Sequence, residues 1–363
     1  MTLKRAPMAK ADLIVTNFNP NFTGVSATAA AVVRLQQLSH KMYLAGRPLP
    51  GCDAPVSRKA AVQLAKNGPQ SRPCQIWHVR RNSEMQTALF ARDILRLPIK
   101  IVFTSAAQRR HSWWPRCLIA RMDAVIATSD AAASYVDRVY ATVPHGVDTA
   151  LFHPADDRGA AWKRTGYSGT IGIGCIGRIR PEKGTDRFVD AAIDIASALP
   201  DVTALVIGKA KREHQGYLRD LKQKVAEAGL EKRILFIGEV APTKLPALVR
   251  ALSLLLALPR YEGYGMTPLE AMASGVPIIA TDTGHFKQFV GDGQAGLVLD
   301  TDDPADAARA AVEILQSRDA LNNLSKTCVS RARSEFGIER EVSAINAVYE
   351  QVWNGETKHL GIG

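Results

Sequence analysis

Short runs of apolar, often β-branched residues alternate with amphipathic helical stretches along the whole 363-residue chain. No other feature constrains the fold as much. In the first part the predicted strands are 13–18, 75–79, 99–104 and 124–128, with helical segments such as 25–39 and 83–95 between them. In the second part the predicted strands are 170–176, 202–207, 234–237, 252–258 and 277–280. A run that is apolar on both faces, such as Leu252 to Leu258, suits a strand in a parallel sheet covered by helices on both sides. Parallel strands need long crossovers, and helices supply them, so the pattern predicts a doubly wound α/β fold.

The series breaks once. Pro144-His145-Gly146-Val147-Asp148 closes the first set, Pro154 to Gly159 is polar and turn-rich, and a new strand series begins near Thr170. This predicts two Rossmann-like domains, 1–155 and 156–335, with 336–363 forming a last helix near Ile338 to Trp353 that packs back on the first domain. A composition of 46% hydrophobic and 22% charged residues excludes a disordered or fibrous chain. Charge is divided unevenly. Residues 1–150 carry 20 basic and 8 acidic side chains, a surplus of 12, whereas residues 151–363 carry 26 and 27. The first domain is therefore expected to face something anionic. Five dispersed cysteines with no C-x-x-C spacing argue against a disulfide framework or a zinc site. No apolar run reaches the ~20 residues of a spanning helix, and Met1 to Lys10 leads into no apolar core of a secretory signal. The expected location is the cytoplasm, with contact to a membrane surface left open.

Gly172-Ile173-Gly174-Cys175-Ile176-Gly177 matches the G-x-G-x-x-G dinucleotide fingerprint, but its glycines fall within a strand rather than between strand and helix. The loop after it carries more. Arg178 stands at the strand's carboxyl end and Lys183 just before the next helix, where ligands of doubly wound sheets bind. Two cations beside free helix N–H groups suit phosphate. After Leu258 comes a second element, with Glu262 on a glycine-containing loop and Glu270 eight positions on, in the next helix. Thr267 reads as that helix's N-cap, Pro268 as its first residue and Gly275 as its C-terminal stop. On this reading Glu270 could merely close a capping box with Thr267. Together, the cations, the N–H groups of Gly265, Met266 and Thr267, and two spaced carboxylates describe a pocket for a nucleotide sugar.

These pieces resemble the donor domain of the retaining GT-B glycosyltransferases of family 4. The resemblance rests on Gly177-Arg178 with Glu182-Lys183-Gly184, on Phe236 to Val240, on Glu262 to Pro277, and on Val143 to Asp148 with Phe152-His153-Pro154. It runs from about 140 to 315 in consistent order, with His145 where Asn is more usual, and with His285 and Gln288 in a loop where the family often has Gly and Glu. The resemblance implies a GT-B fold, two Rossmann-like domains whose parallel sheets face each other across a cleft. It implies that Arg178 and Lys183 neutralise the donor diphosphate without a metal, that Glu270 binds the ribose, that Glu262 binds the transferred hexose, and that Val240 lies near the base.

In the first domain, Gly24 would sit in the glycine-containing loop near the donor phosphates. His111 and Glu262 are the candidate catalytic groups, with His78 as an alternative to His111. Arg80, Arg81, Arg109 and Arg110, with Trp113 and Trp114 nearby, are the candidate acceptor-binding region. Overall likeness is to bacterial lipopolysaccharide core mannosyltransferases. It implies GDP-mannose as donor, a phosphorylated lipid-linked core as acceptor, a peripheral position on the cytoplasmic face of the inner membrane, and no nucleic acid partner. The readings kept open beside it are a UDP-hexose-dependent transferase with another lipid-linked or soluble acceptor, an NAD-dependent oxidoreductase, and a nucleic-acid-binding α/β protein.

Overall fold

In the computed structural model, which describes residues 9–356, the chain divides into two units. One runs to Gly146 and resumes at Ile338; the other is Val147–Gly337. Most of the basic opening stretch, up to Met8, lies outside the described residues. Among the described residues no helix is long and apolar enough to cross a membrane.

The first unit holds strands β1 (Leu13–Asn17), β2 (Met42–Gly46), β3 (Gln75–Val79), β4 (Ile99–Ser105), β5 (Ala124–Ala127) and β6 (Ala141–Thr142). They form one parallel sheet in the order β2-β1-β3-β4-β5-β6. Helices α1 (Gly24–Gln36), α2 (Arg58–Lys66), α3 (Asn82–Leu89), α4 (Trp113–Ile119) and α5 (Asp130–Ala133) connect them. The predicted helix 83–95 ends at Leu89 and continues as a π-helical turn, Phe90–Ile94.

The second unit holds α6 (Arg158–Thr165), β7 (Ile171–Ile176), α7 (Thr185–Ala198), β8 (Val202–Ile207), α8 (Gln215–Glu227), β9 (Ile234–Gly238) and α9 (Leu245–Val249). It continues with β10 (Leu254–Ala257), α10 (Met266–Ala273), β11 (Ile278–Thr281), α11 (Phe286–Val290), β12 (Gly296–Leu299), α12 (Pro304–Gln316) and α13 (Arg318–Phe336). Its sheet is also parallel, in the order β12-β11-β10-β7-β8-β9. One face buries Phe188, Val189 and Ile195 of α7 with Ala307 and Ala311 of α12. The other buries Leu269 and Met272 of α10 with Phe286 and Phe289 of α11.

The last helix, α14 (Ile338–Trp353), belongs to the first unit. Its Ile345, Val348, Tyr349 and Trp353 pack with Val32 and Val33 of α1 and Ile76 of β3. Gln36 Nε2 donates to Asn346 at 2.8 Å, and Trp353 Nε1 donates to the Cys74 carbonyl at 3.0 Å. In each sheet the chain first builds outward on one side and then returns to the other. The reversal lies between β1 and β3 in the first unit and between β7 and β10 in the second. Loops leaving the carboxyl ends of these pairs diverge and open a crevice, which is where such sheets bind ligands.

Candidate functional site

In the second unit, Arg178 follows β7 and is exposed. The chain then makes a 3₁₀ turn, Pro181–Lys183, and enters α7 through Gly184 at φ +64°. A Cβ at Gly184 would lie 1.8 Å from the Leu258 carbonyl oxygen, so only glycine lets this loop rest on the end of β10. That contact carries Lys183 to the second element: its Nζ donates to Glu262 Oε2 at 2.5 Å. Glu262 Oε1 accepts from the Gly263 N–H at 2.9 Å, and the Glu262 N–H donates to Thr283 Oγ1 at 3.2 Å. Arg260, two residues before, donates to both oxygens of Asp186 at 2.8 and 2.6 Å, tying the β10 loop to the first turn of α7. That pair holds the Asp186 carboxyl at about 2 against its burial. The partners are 74 residues apart, so no local pattern announces them.

Helix α10 begins earlier than predicted. Its N-cap is Gly265, at φ +100°, and no side chain caps it. A Cβ there would lie 2.1 Å from Phe286 Cε1, so the turn needs glycine for both angle and space. Thr267 is thus the second helical residue and Pro268 the third, and the capping box with Glu270 does not form. Free N–H groups of the first turn, Met266 and Thr267 among them, are left for a ligand. At the other end the prediction holds: Gly275, at φ +71°, closes a Schellman turn with its N–H on Met272 O and the Val276 N–H on Ala271 O, both at 2.9 Å. Glu270, half-buried on α10, has no hydrogen-bond or ion-pair partner for its carboxylate among the described residues. Burial pushes this carboxyl up to about 7.

Between β7 and β10 lies a small depression of about 30 Å³ lined by Gly177, Arg178, Lys183, Gly184 and Thr267 over Phe188 and Leu256; Glu262 and Glu270 are not among its walls. Val240 is not among its walls. It follows β9, the outermost strand of the sheet, and is half-buried against the apolar core. The first two glycines of the dinucleotide fingerprint serve packing instead. A Cβ at Gly172 would lie 2.1 Å from Trp162, and one at Gly174 would lie 3.0 Å from Leu252. Sequence reading passed over one neighbour: the Tyr264 and His285 rings stack with centroids 4.9 Å apart, and the His285 N–H donates to Tyr264 O at 2.9 Å.

In the first unit, Gly24 is the exposed first residue of α1, one position before the predicted start, with open space around it. The two histidines separate cleanly. His78 is fully buried, with Nδ1 2.5 Å from the Tyr349 hydroxyl and Nε2 2.7 Å from Thr104 Oγ1. Burial, then the Arg80 charge, holds it well below the ordinary histidine value. It is a structural group. His111 is half-buried, 3.3 Å from Ser105 Oγ, and burial with the Arg109 charge keeps it below its ordinary value. The four arginines separate too. Arg109 and Arg110 are exposed, beside Trp113 at 73% exposure and Trp114. Arg81 is tied down, donating to Asn17 Oδ1 at 3.0 Å, Glu84 Oε1 at 3.1 Å, Thr23 Oγ1 at 3.2 Å and Ser26 Oγ at 2.9 Å. Arg80 is buried. His145 is buried as well, 2.8 Å from Glu341, which also accepts from the Gly146 N–H.

Residues 163–334 match the family model described as Glycosyl transferases group 1. The chain is 43% identical to the lipopolysaccharide core biosynthesis mannosyltransferase LpsB of Rhizobium meliloti, over 94% of this chain and 97% of that one. It is 38% identical to the corresponding mannosyltransferase LpcC of Rhizobium leguminosarum bv. viciae, over 94% and 96%. Among solved structures, the C-terminal domain of the group 1 protein LpcC from Francisella tularensis aligns at 34% identity and TM-score 0.52, covering 53% of this chain and all of that one. HepE of Anabaena aligns at TM-score 0.77 over 94% of this chain and 100% of that one; at 17% identity the likeness is one of fold.

Proposed function

The chain belongs to the group 1 glycosyl transferases, and from that premise we propose that it transfers mannose from GDP-mannose to a hydroxyl of a lipopolysaccharide core, with retention of the anomeric configuration. The relatives at 43% and 38% identity, matched along nearly their whole length, are named lipopolysaccharide core biosynthesis mannosyltransferases. The observation that carries the donor half is the Lys183–Glu262 pair at the β7/β10 crevice, with the Glu270 carboxylate unpartnered on the adjoining helix.

In this reading Arg178, Lys183 and the first-turn N–H groups of α10 receive the diphosphate and stabilise the charge that grows on it as the C1–O bond breaks. No metal ion is required for that role. Lys183 then exchanges part of its bond to Glu262 for phosphate, which frees Glu262 to accept from hexose hydroxyls. Glu270 accepts from the ribose hydroxyls, and the stacked Tyr264–His285 pair braces the loop between them. As the acceptor oxygen bonds to C1, its proton must leave, and His111 is the group proposed to take it. The acceptor lies against the basic first unit. Exposed Arg109, Arg110, Trp113 and Trp114 suit the surface of an anionic membrane, so the protein is expected to bind it peripherally on the cytoplasmic face.

The test is turnover with GDP-mannose, UDP-glucose and ADP-glucose in parallel, using core-truncated lipopolysaccharide as acceptor and NMR of the product's anomeric proton. Mannose transfer with retention is expected. A preference for either of the other donors would overturn the donor assignment, and an inverted linkage would overturn the mechanism.

A further inference from the structure

The first sheet has its own crevice, between β1 and β3, and Arg80 is the first residue beyond β3. Side chains alternate along a strand, and Ile76 and His78 both face α14, so Arg80 projects on that same face. It is only 9% exposed, and its Nη1 is buried with no hydrogen-bond partner. Its guanidinium makes no hydrogen bond or ion pair among the described residues. The two carboxylates closest in charge are already committed. Glu84 accepts from Thr16, from Arg81 and from the Phe18 and Arg80 N–H groups, and Glu341 accepts from the Gly146 N–H and pairs with His145.

A second orphan stands on the same edge. Thr128, the residue after β5, is fully buried and its hydroxyl has no partner among the described residues. Ala124 and Ile126 of β5 face α14, so Thr128 projects the same way as Arg80. Strands β3 and β5 flank β4, about 10 Å apart at ordinary strand spacing, and the His78–Thr104 hydrogen bond lies between them. Buried polar groups are nearly always satisfied, and an unpaired charge beside the crevice with an unpaired hydroxyl two strands away on the same edge is a costly arrangement for an empty protein. A compact oxyanion would satisfy both: a planar guanidinium matches two oxygens, and a hydroxyl donates to another.

We propose that Arg80 and Thr128 form an oxyanion subsite that takes a carboxylate or phosphate carried by the acceptor. This deepens the transferase reading and rests on it for the word acceptor; the anion site itself does not.

Thermal unfolding with sodium phosphate and sodium glucuronate, at matched ionic strength, tests it on wild type, Arg80→Met, Arg80→Lys and Thr128→Val. One anion should raise the wild-type Tm, and which one distinguishes phosphate from a sugar acid. Arg80→Met should abolish the shift that persists in Lys183→Met, where the diphosphate site no longer reports; on that background Arg80→Lys should weaken binding at least about tenfold through loss of the fork, and Thr128→Val should weaken it several-fold. Without anion, Arg80→Met should unfold no earlier than wild type, since an unpaired buried charge has gone. The acceptor KM should rise in the same order. Equal shifts in wild type and both Arg80 variants, or no shift with either anion, would overturn the subsite. So would an Arg80→Met protein that is less stable yet has an unchanged acceptor KM. GDP release from GDP-mannose by wild type reports separately on the transferase reading: its absence beside an Arg80-dependent anion shift would sink that reading and leave the subsite standing.

Discussion

Replacing Glu270 with Gln should stabilise the protein while weakening its donor affinity, and pH should separate the two effects. Burial raises the carboxyl from 4.5 to about 7, and no partner among the described residues offsets the charge it carries above that pH. The difference of about 2.5 units corresponds to roughly 3 kcal/mol, and solvent at the exposed edge of the side chain reduces this to about 2 kcal/mol. Because the folded pKa is raised, the contribution to stability is complete below the unfolded value near 4.5 and is lost as pH climbs through 7. Wild type and Glu270→Gln should therefore unfold at similar temperatures at pH 4.5. By pH 8 the variant should lead by roughly 4–8 °C in the second unit. Donor affinity moves oppositely. Two ribose hydroxyls donating to an ionised carboxylate are worth roughly 2–3 kcal/mol together, so the donor KM should rise about 30- to 150-fold. Wild-type affinity should strengthen as pH rises toward 8, while the variant stays flat. Thermal scans at both pH values and donor titration from pH 6 to 8 read all of this. A variant that is less stable at pH 8, or that keeps its donor KM, would refute the assignment of Glu270 as an unpaired ligand group.

Other consequences are simpler. Lys183→Met removes the bond to Glu262 and one diphosphate cation, and donor KM should rise about 10- to 100-fold while the fold is retained; circular dichroism alongside kinetics checks both parts. Gly184→Ala places a Cβ 1.8 Å from the Leu258 carbonyl, so the second unit should lose at least about 2 kcal/mol by denaturant titration, together with donor binding. His111→Ala should cut kcat with little change in stability, whereas His78→Gln should lower the Tm by breaking the Tyr349 and Thr104 hydrogen bonds. Trp113→Ser with Trp114→Ser should reduce binding to vesicles containing anionic lipid by about tenfold or more, and high salt should weaken what remains. Salt-insensitive binding would speak against the membrane reading.

What was legible in the chain was the repeating unit. Strands long enough to be buried on both faces, such as β3, β4, β7 and β8, stand out as apolar runs, and α14 is amphipathic along its whole length. Strands β2, β6 and β12 were missed because half-exposed or very short segments carry little apolar signal. The end of α3 was misread because a π-turn keeps nearly helical periodicity past Leu89. At the candidate donor site, residue types and spacing singled out Arg178, Lys183, Glu262 and Glu270, and the structure brings Lys183 and Glu262 into contact. They misplaced the helix start, since Thr at N-cap and Pro at N1 are strong local preferences. A left-handed Gly265 wedged against Phe286 overrode them. In the first unit, local sequence could not rank the histidines or the arginines. Burial of His78 and Arg80 depends on α14, which joins the sheet more than 250 residues later.

Calorimetric titration of GDP, UDP and ADP into wild type and Glu270→Ala puts the central claim to the most direct trial. A nucleotide-sugar site at the β7/β10 crevice with a preference for GDP predicts tightest binding of GDP, with at least a tenfold loss in the variant. Equal affinity for the three nucleotides, or GDP affinity untouched by removal of the Glu270 carboxylate, would contradict it.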